Sequence, residues 1–189
     1  MEVTLRELMT ALHGMMFGGF FLMAAFGVIV MRYRSMQELR EPEWSERGHR
    51  WERVYLIAMV VLGWAAVLSG AYVVYPWYRA AVPAGVTNLA EYPQRLLLSN
   101  PNTAGWHTLG MEWKEHIAWM APIVMTMVAY VLTKYRSNNN GNRQVKATVL
   151  AFALIAFLAA GIAGAFGSLI DKAAPIEGGA TINLMQGAK

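Results

Sequence analysis

Four apolar runs, each about as long as a bilayer core is thick, leave this chain few ways to fold. A helix needs about 20 apolar residues to cross the hydrocarbon. The sequence offers them at Leu8 to Met31, Val54 to Tyr75, Ile117 to Thr133 and Val149 to Ile170. No water reaches backbone amides at that depth, so each run must satisfy its own hydrogen bonds as a helix. Hydrophobic residues make up 56% of the 189, more than one soluble core of this size requires. The expectation is an all-α integral membrane protein: a single domain over residues 1–189 folded as an up-down bundle of four transmembrane helices, with one long connection over 76–115.

The flanking charges predict its orientation. The segment "RYRSMQELREPEWSERGHRWER" after the first run holds six arginines, and "KYRSNNNGNRQVK" after the third holds four basic residues. Basic loops stay in the cytoplasm, so both termini and the 76–115 connection are expected on the extracytoplasmic side of a bacterial inner membrane. The net charge of +4 is thereby assigned to the lipid surface and not to nucleic acid. Acidic residues precede the first run, which is also too long for a signal-peptide core, so no cleaved targeting segment is expected. The connection contains "PWYRAAVPAGVTNLAEYPQRLLLSNPNTAGW". Its aromatics suit the headgroup region, and a short interfacial helix is predicted around Leu89 to Ser99. "SNNNGN" reads as a solvated turn. Small residues four apart allow close helix packing, at Gly14 and Gly18 in "GMMFG" and at Ala160, Gly164 and Ser168 in the fourth run.

Absent residues narrow the chemistry. There is no cysteine, which excludes disulfides, thiolate-held iron–sulfur clusters and covalent haem attachment. No Ser-His-Asp order, phosphate-binding loop, HExxH or dinucleotide fingerprint occurs, so neither hydrolysis nor nucleotide chemistry is indicated. Too few charges lie inside the spans for a transporter's central ion path. Histidine, methionine and carboxylate remain as ligands.

Of the four histidines, His49 belongs to the charged loop, whereas His13, His107 and His116 fall near the extracytoplasmic ends of spans. Counted from the far ends of their spans at Met31 and Thr133, His13 and His116 stand at nearly the same height, roughly 26 Å at 1.5 Å per residue. Spans one and three occupy diagonal corners of an up-down bundle, so inward imidazoles on them could meet across the core and bind a b-type haem. In that reading His13 and His116 are the metal ligands, and Gly14 and Gly18 leave room for the macrocycle. Met120, Ile123 and Met127 would form an apolar wall on the stripe of His116, and Arg79 would pair with a propionate. His107 is half a turn out of phase with His116 and could help only if the helix bends at Gly110.

In "MEWKEHIAWM", Glu112 and Glu115 are candidate catalytic carboxylates beside His116, and Glu7 lies near the start of span one. Such groups could carry protons at a quinol site. Alternatively, Lys114 and Arg6 simply neutralise these carboxylates at the interface. Methionines Met9, Met15, Met16, Met111 and Met120 near the same face leave a copper or other metal site open as a further reading.

Four spans with single histidines in two of them resemble the small membrane-anchor cytochromes b of respiratory complexes, such as the anchor subunits of succinate dehydrogenases. "YPWYR" after span two and "KEH" opening span three are also similar to an uncharacterised group of bacterial four-span proteins, which implies no activity. The first resemblance implies one haem b, a nearby quinone pocket, and partner subunits in a larger complex. The expected function is therefore a haem b-binding subunit moving electrons between quinol and an extracytoplasmic redox partner. The competing expectation is a cofactor-free accessory subunit of a respiratory or photosynthetic complex.

Overall fold

The structure, a computed structural model, describes residues 2–37, 46–135 and 143–183. Four helices in it are long and apolar enough to cross a membrane: α1 (Leu5–Gln37), α2 (Glu46–Tyr78), α4 (Pro101–Lys134) and α5 (Arg143–Ala173). A short helix α3 (Pro93–Leu98) lies in the connection between α2 and α4, inside the range expected for an interfacial helix. The "SNNNGN" turn lies outside the described residues.

Each long helix packs on the next in sequence and α5 closes back on α1, which leaves α1 and α4 on the diagonal. Strand β1 (Glu2–Thr4) pairs antiparallel with β2 (Thr181–Asn183), so the segment before α1 and the segment after α5 are fastened together at one end of the bundle. This is called the strand end below. The arginine-rich end is opposite, where Arg32 binds Glu52 at 2.7 Å and Lys146 donates to the Ser35 carbonyl at 3.1 Å.

The helices extend beyond the apolar runs because capping and turn chemistry, not hydropathy, ends them. Thr4 and Glu7 form a reciprocal capping box at the start of α1, satisfying two amides that would otherwise be unpaired. Asn100 accepts from the Asn102 amide and Pro101 takes the first helical position, so α4 begins at Pro101 and not at Ile117.

Toward the strand end, three of the four helices widen into π-helical turns: Leu12–Gly19 in α1, Gly70–Val74 in α2, and both Trp106–Met111 and Trp113–Ile117 in α4. Prolines account for two of these distortions. Pro76 has no amide to donate, and the turn ahead of it opens so that the Tyr75 amide reaches Gly70. Pro122 would clash with the carbonyl four residues back, Ala118, which is bonded instead by the Ala121 amide at 3.1 Å.

Two apolar clusters fill the bundle. The larger gathers Phe21, Val28, Leu56, Met59, Met125 and Val128 against a small-residue face of α5 at Ala153, Ala156 and Ala159. The smaller lies at the strand end and joins Tyr78, Leu97, Met111, Ile170 and Ile176. The close approaches occur at other glycines than the expected pair. A Cβ on Gly63 would lie 2.8 Å from the Phe21 ring, and one on Gly110 would lie 3.2 Å from Phe166, whereas Gly14 meets nothing within 4 Å. Gly18 meets only its own helix and Gly164 only Leu22, so these two do not carry tight packing either.

Candidate polar site at the strand end

The π-helical turns share their level with a set of inward ionisable and hydrogen-bonding side chains. Two constellations form there.

The first surrounds His107. Tyr78 is 2% exposed, held there by Leu97 and Met111 around its ring, and its hydroxyl lies 2.7 Å from His107 Nδ1. Gln94, carried by α3, lies 3.4 Å from the other ring nitrogen. Tyr75 stacks on Tyr78 with centroids 6.4 Å apart and faces the Glu115 carboxylate, which also acts electrostatically on Tyr78. Arg79 lies over the Tyr75 ring at 5.7 Å. The groups Gln94, His107, Tyr78, Tyr75 and Glu115 thus make a polar line from the α3 cover to the bundle, built on an aromatic stack.

The second surrounds His13 and Lys114. His13 Nδ1 lies 3.1 Å from Ser69 Oγ, the Ala66 carbonyl lies against the ring, and a Cβ on Gly70 would fall 2.6 Å from Cε1. The imidazole fills the gap that the widened, glycine-bearing turn of α2 provides. Lys114 reaches from α4 to α5, where its Nζ lies 2.9 Å from the place a Gly167 Cβ would take. Asp171 on α5 and His13 on α1 interact with it electrostatically. Beside it, Trp113 and Trp106 both pack on Phe166, with centroids 6.5 and 6.4 Å apart.

His116 belongs to neither group. Its side chain is 68% exposed, with Nδ1 3.0 Å from the Glu112 carbonyl oxygen and 3.4 Å from that residue's carboxylate. Met120, Ile123 and Met127 are likewise 45%, 49% and 42% exposed, so the stripe expected to face inward faces outward. His13 packs against Ser69 and Gly70 of α2 while His116 is exposed, so the two imidazoles do not face a common interior point. Gly14 and Gly18 flank His13 without enclosing a space beside it.

Other candidates also have local partners. Glu7 is engaged in the capping box, with its Oε2 2.7 Å from the Thr4 amide. Arg6 bonds the Glu177 carbonyl at 3.3 Å and lies over Trp77, which ties the C-terminal segment to α1. Of the methionines near this end, Met9, Met15, Met16 and Met120 are exposed and Met111 is buried. No group of three or more His, Cys, Asp and Glu side chains that could hold a metal ion occurs among the described residues.

Sequence reasoning missed Lys114 as an inward group, and missed Ser69, Tyr75, Tyr78 and Gln94 altogether. The available signals were a lysine embedded in an apolar span and two tyrosines bracketing Pro76. Comparison with known proteins finds no match: no family model fits the chain, and no curated protein or solved structure is significantly similar to it.

Proposed function

We propose that this chain is a multi-pass subunit of an electron-transfer complex in a bacterial cytoplasmic membrane, with its strand end outside, and that it works at a quinol site. Quinol oxidation releases two electrons and two protons. The electrons pass to a one-electron centre on a partner subunit, and the protons leave toward the extracytoplasmic side. The line Glu115, Tyr75, Tyr78, His107 and Gln94 carries the reading, because it sets hydrogen-bonded pairs at either end of a Tyr75–Tyr78 ring stack at a level where the described helices are distorted. Ionisable groups within a span mark proton or ligand paths, and π-helical turns concentrate at functional sites. Glu115 is the base of this reading. Glu112 supports His116 on the outer surface instead.

Haem b enters this proposal only outside the bundle, since His116 alone of the two expected ligands is turned outward. The reading as a cofactor-free accessory subunit is favoured by the same outward pair, Glu112 and His116, a polar patch beside lipid-facing residues that suits contact with a neighbouring subunit.

Purified complex from native membranes separates these readings. Replacing His107 or Glu115 with Gln should lower quinol oxidation by about 10²- to 10⁴-fold, the range for loss of a positioned acid or base, with assembly intact. Unchanged turnover in both variants, or loss of assembly alone, would leave the accessory-subunit reading.

A further inference from the structure

The basic side chains at the arginine-rich end sort into two layers. The inner layer is paired: half-buried Arg32 binds Glu52 and ties α1 to α2, and half-buried Lys146 donates to the Ser35 carbonyl and ties α1 to α5. The outer layer is not. Arg34, Arg47, Arg50, Arg53, Lys134 and Arg143 are all exposed, and among the described residues none of their side chains has a hydrogen bond, an ion pair or a ring contact. The described carboxylates at this end are Glu46 and Glu52, and the second is already held by Arg32. Over the whole sequence of this end, residues 32–53 and 134–146, ten basic side chains stand against five acidic ones. At the strand end, by contrast, Arg6 lies over Trp77 and bonds the Glu177 carbonyl, and Arg79 lies over Tyr75.

Height and company identify what these cations meet. Lys134 directly follows the third apolar run, Arg53 directly precedes the second, and Arg34 lies within one turn beyond the first. A helix rises only about 1.5 Å per residue, so these charges stand at the level of the phospholipid phosphates. Exposed aromatics sit beside them on three helices: Tyr33 next to Arg34, Trp51 next to Arg50 and Tyr135 next to Lys134. Such aromatics mark the headgroup layer. In addition, Arg143 and Lys146 occupy the first turn of α5, which has no acidic residue, so cations stand where the helix dipole favours negative charge. We infer that the outer layer is a binding surface for the phosphates of anionic phospholipids. Its centre is Arg34, Arg53 and Arg143, which flank in sequence the two ties that join α1 to α2 and to α5. The lipid supplies the counter-charge that the described chain lacks, and headgroups shared between these helix ends clamp the bundle. This inference is independent of the quinol reading.

The test uses the full chain in a neutral detergent, titrated with dioleoyl phosphatidylglycerol or phosphatidylcholine and read by native mass spectrometry and thermal melting. Wild type should retain phosphatidylglycerol in preference to phosphatidylcholine, with a rise in Tm that grows with lipid concentration and shrinks in salt. The variant Arg34→Gln/Arg53→Gln/Arg143→Gln should lose roughly 10²-fold in phosphatidylglycerol affinity, about five-fold per cation. Arg95→Gln/Lys172→Gln at the strand end should lose none. In phosphatidylcholine the triple variant should melt level with wild type or above it, because self-repulsion falls and no paired group is removed. A lower Tm there would show that the cations have partners within the chain, and the counter-charge argument would fall. Equal retention of the two lipids by wild type overturns the inference and leaves the cations to an acidic face of a partner subunit. Undiminished phosphatidylglycerol binding in the triple variant overturns it too. If inorganic phosphate raises Tm as far as phosphatidylglycerol at the same phosphate concentration, the surface takes a free anion and the lipid assignment fails.

Discussion

The bond between Tyr78 and His107 gives the sharpest check on the strand-end geometry. Tyr78→Phe keeps the ring, its stacking on Tyr75 and its packing against Leu97 and Met111, and deletes only the hydroxyl 2.7 Å from His107 Nδ1. His107 retains Gln94 at 3.4 Å on its other nitrogen, so one ring nitrogen is left without a partner. An orphaned buried group costs about 1–3 kcal/mol in soluble proteins, whereas side-chain hydrogen bonds between membrane helices average about 0.6 kcal/mol with a maximum near 1.7. The bond is short, and Tyr78 is almost fully enclosed. We therefore expect a loss of about 1 kcal/mol. A double-mutant cycle with His107→Phe, followed by reversible unfolding in mixed micelles, isolates the pairwise contribution, which should be about 1 kcal/mol. Independent sites add within about 0.3–0.5 kcal/mol. A coupling energy below that level would mean that the two side chains do not meet, and the polar line through Tyr78 would be refuted.

Other consequences can be checked separately. A reduced-minus-oxidised spectrum with a pyridine haemochrome assay on the purified complex should give a b-type band, if one is present, that survives His13→Ala and responds only to His116→Ala; a band abolished by either change would restore a paired grip across the bundle. Gly63→Ala should destabilise the bundle by about 1–3 kcal/mol, because its Cβ would lie 2.8 Å from Phe21, and Phe21→Leu should relieve much of that loss in the double variant. Because the chain has no cysteine, single cysteines report topology cleanly. Thr87→Cys should react with a membrane-impermeant maleimide on intact cells, and Gln144→Cys should react only after permeabilisation; the reverse pattern would invert the orientation.

The four helices and the short α3 were legible because length and hydropathy, with proline and asparagine at the boundaries, act locally. What failed was rotation about the helix axis. In a soluble bundle the polar face would identify the inward side, but lipid is as apolar as a core, and these helices are hydrophobic all round: Met23 and Phe26 are 70% and 56% exposed while Phe21 and Ala25 on the same helix are buried. The π-helical turns then break the 3.6-residue period in the segments that carry the histidines, so spacing along the sequence does not give the direction of His13 or His116.

The sequence by itself determined that the chain forms four membrane-length helices, where the connections fall and which end carries the arginines. These properties follow from transfer of apolar side chains out of water and from backbone hydrogen bonds that each helix satisfies within itself. Only the tertiary structure decided that Glu2–Thr4 and Thr181–Asn183 pair as strands, that Gly27, Gly63, Gly70, Gly110 and Gly167 are points of close approach, that Lys114 turns inward and that His116 turns outward. Those outcomes depend on which helix fills the space beside a given residue, and each is set by steric fit between neighbours far apart in the chain.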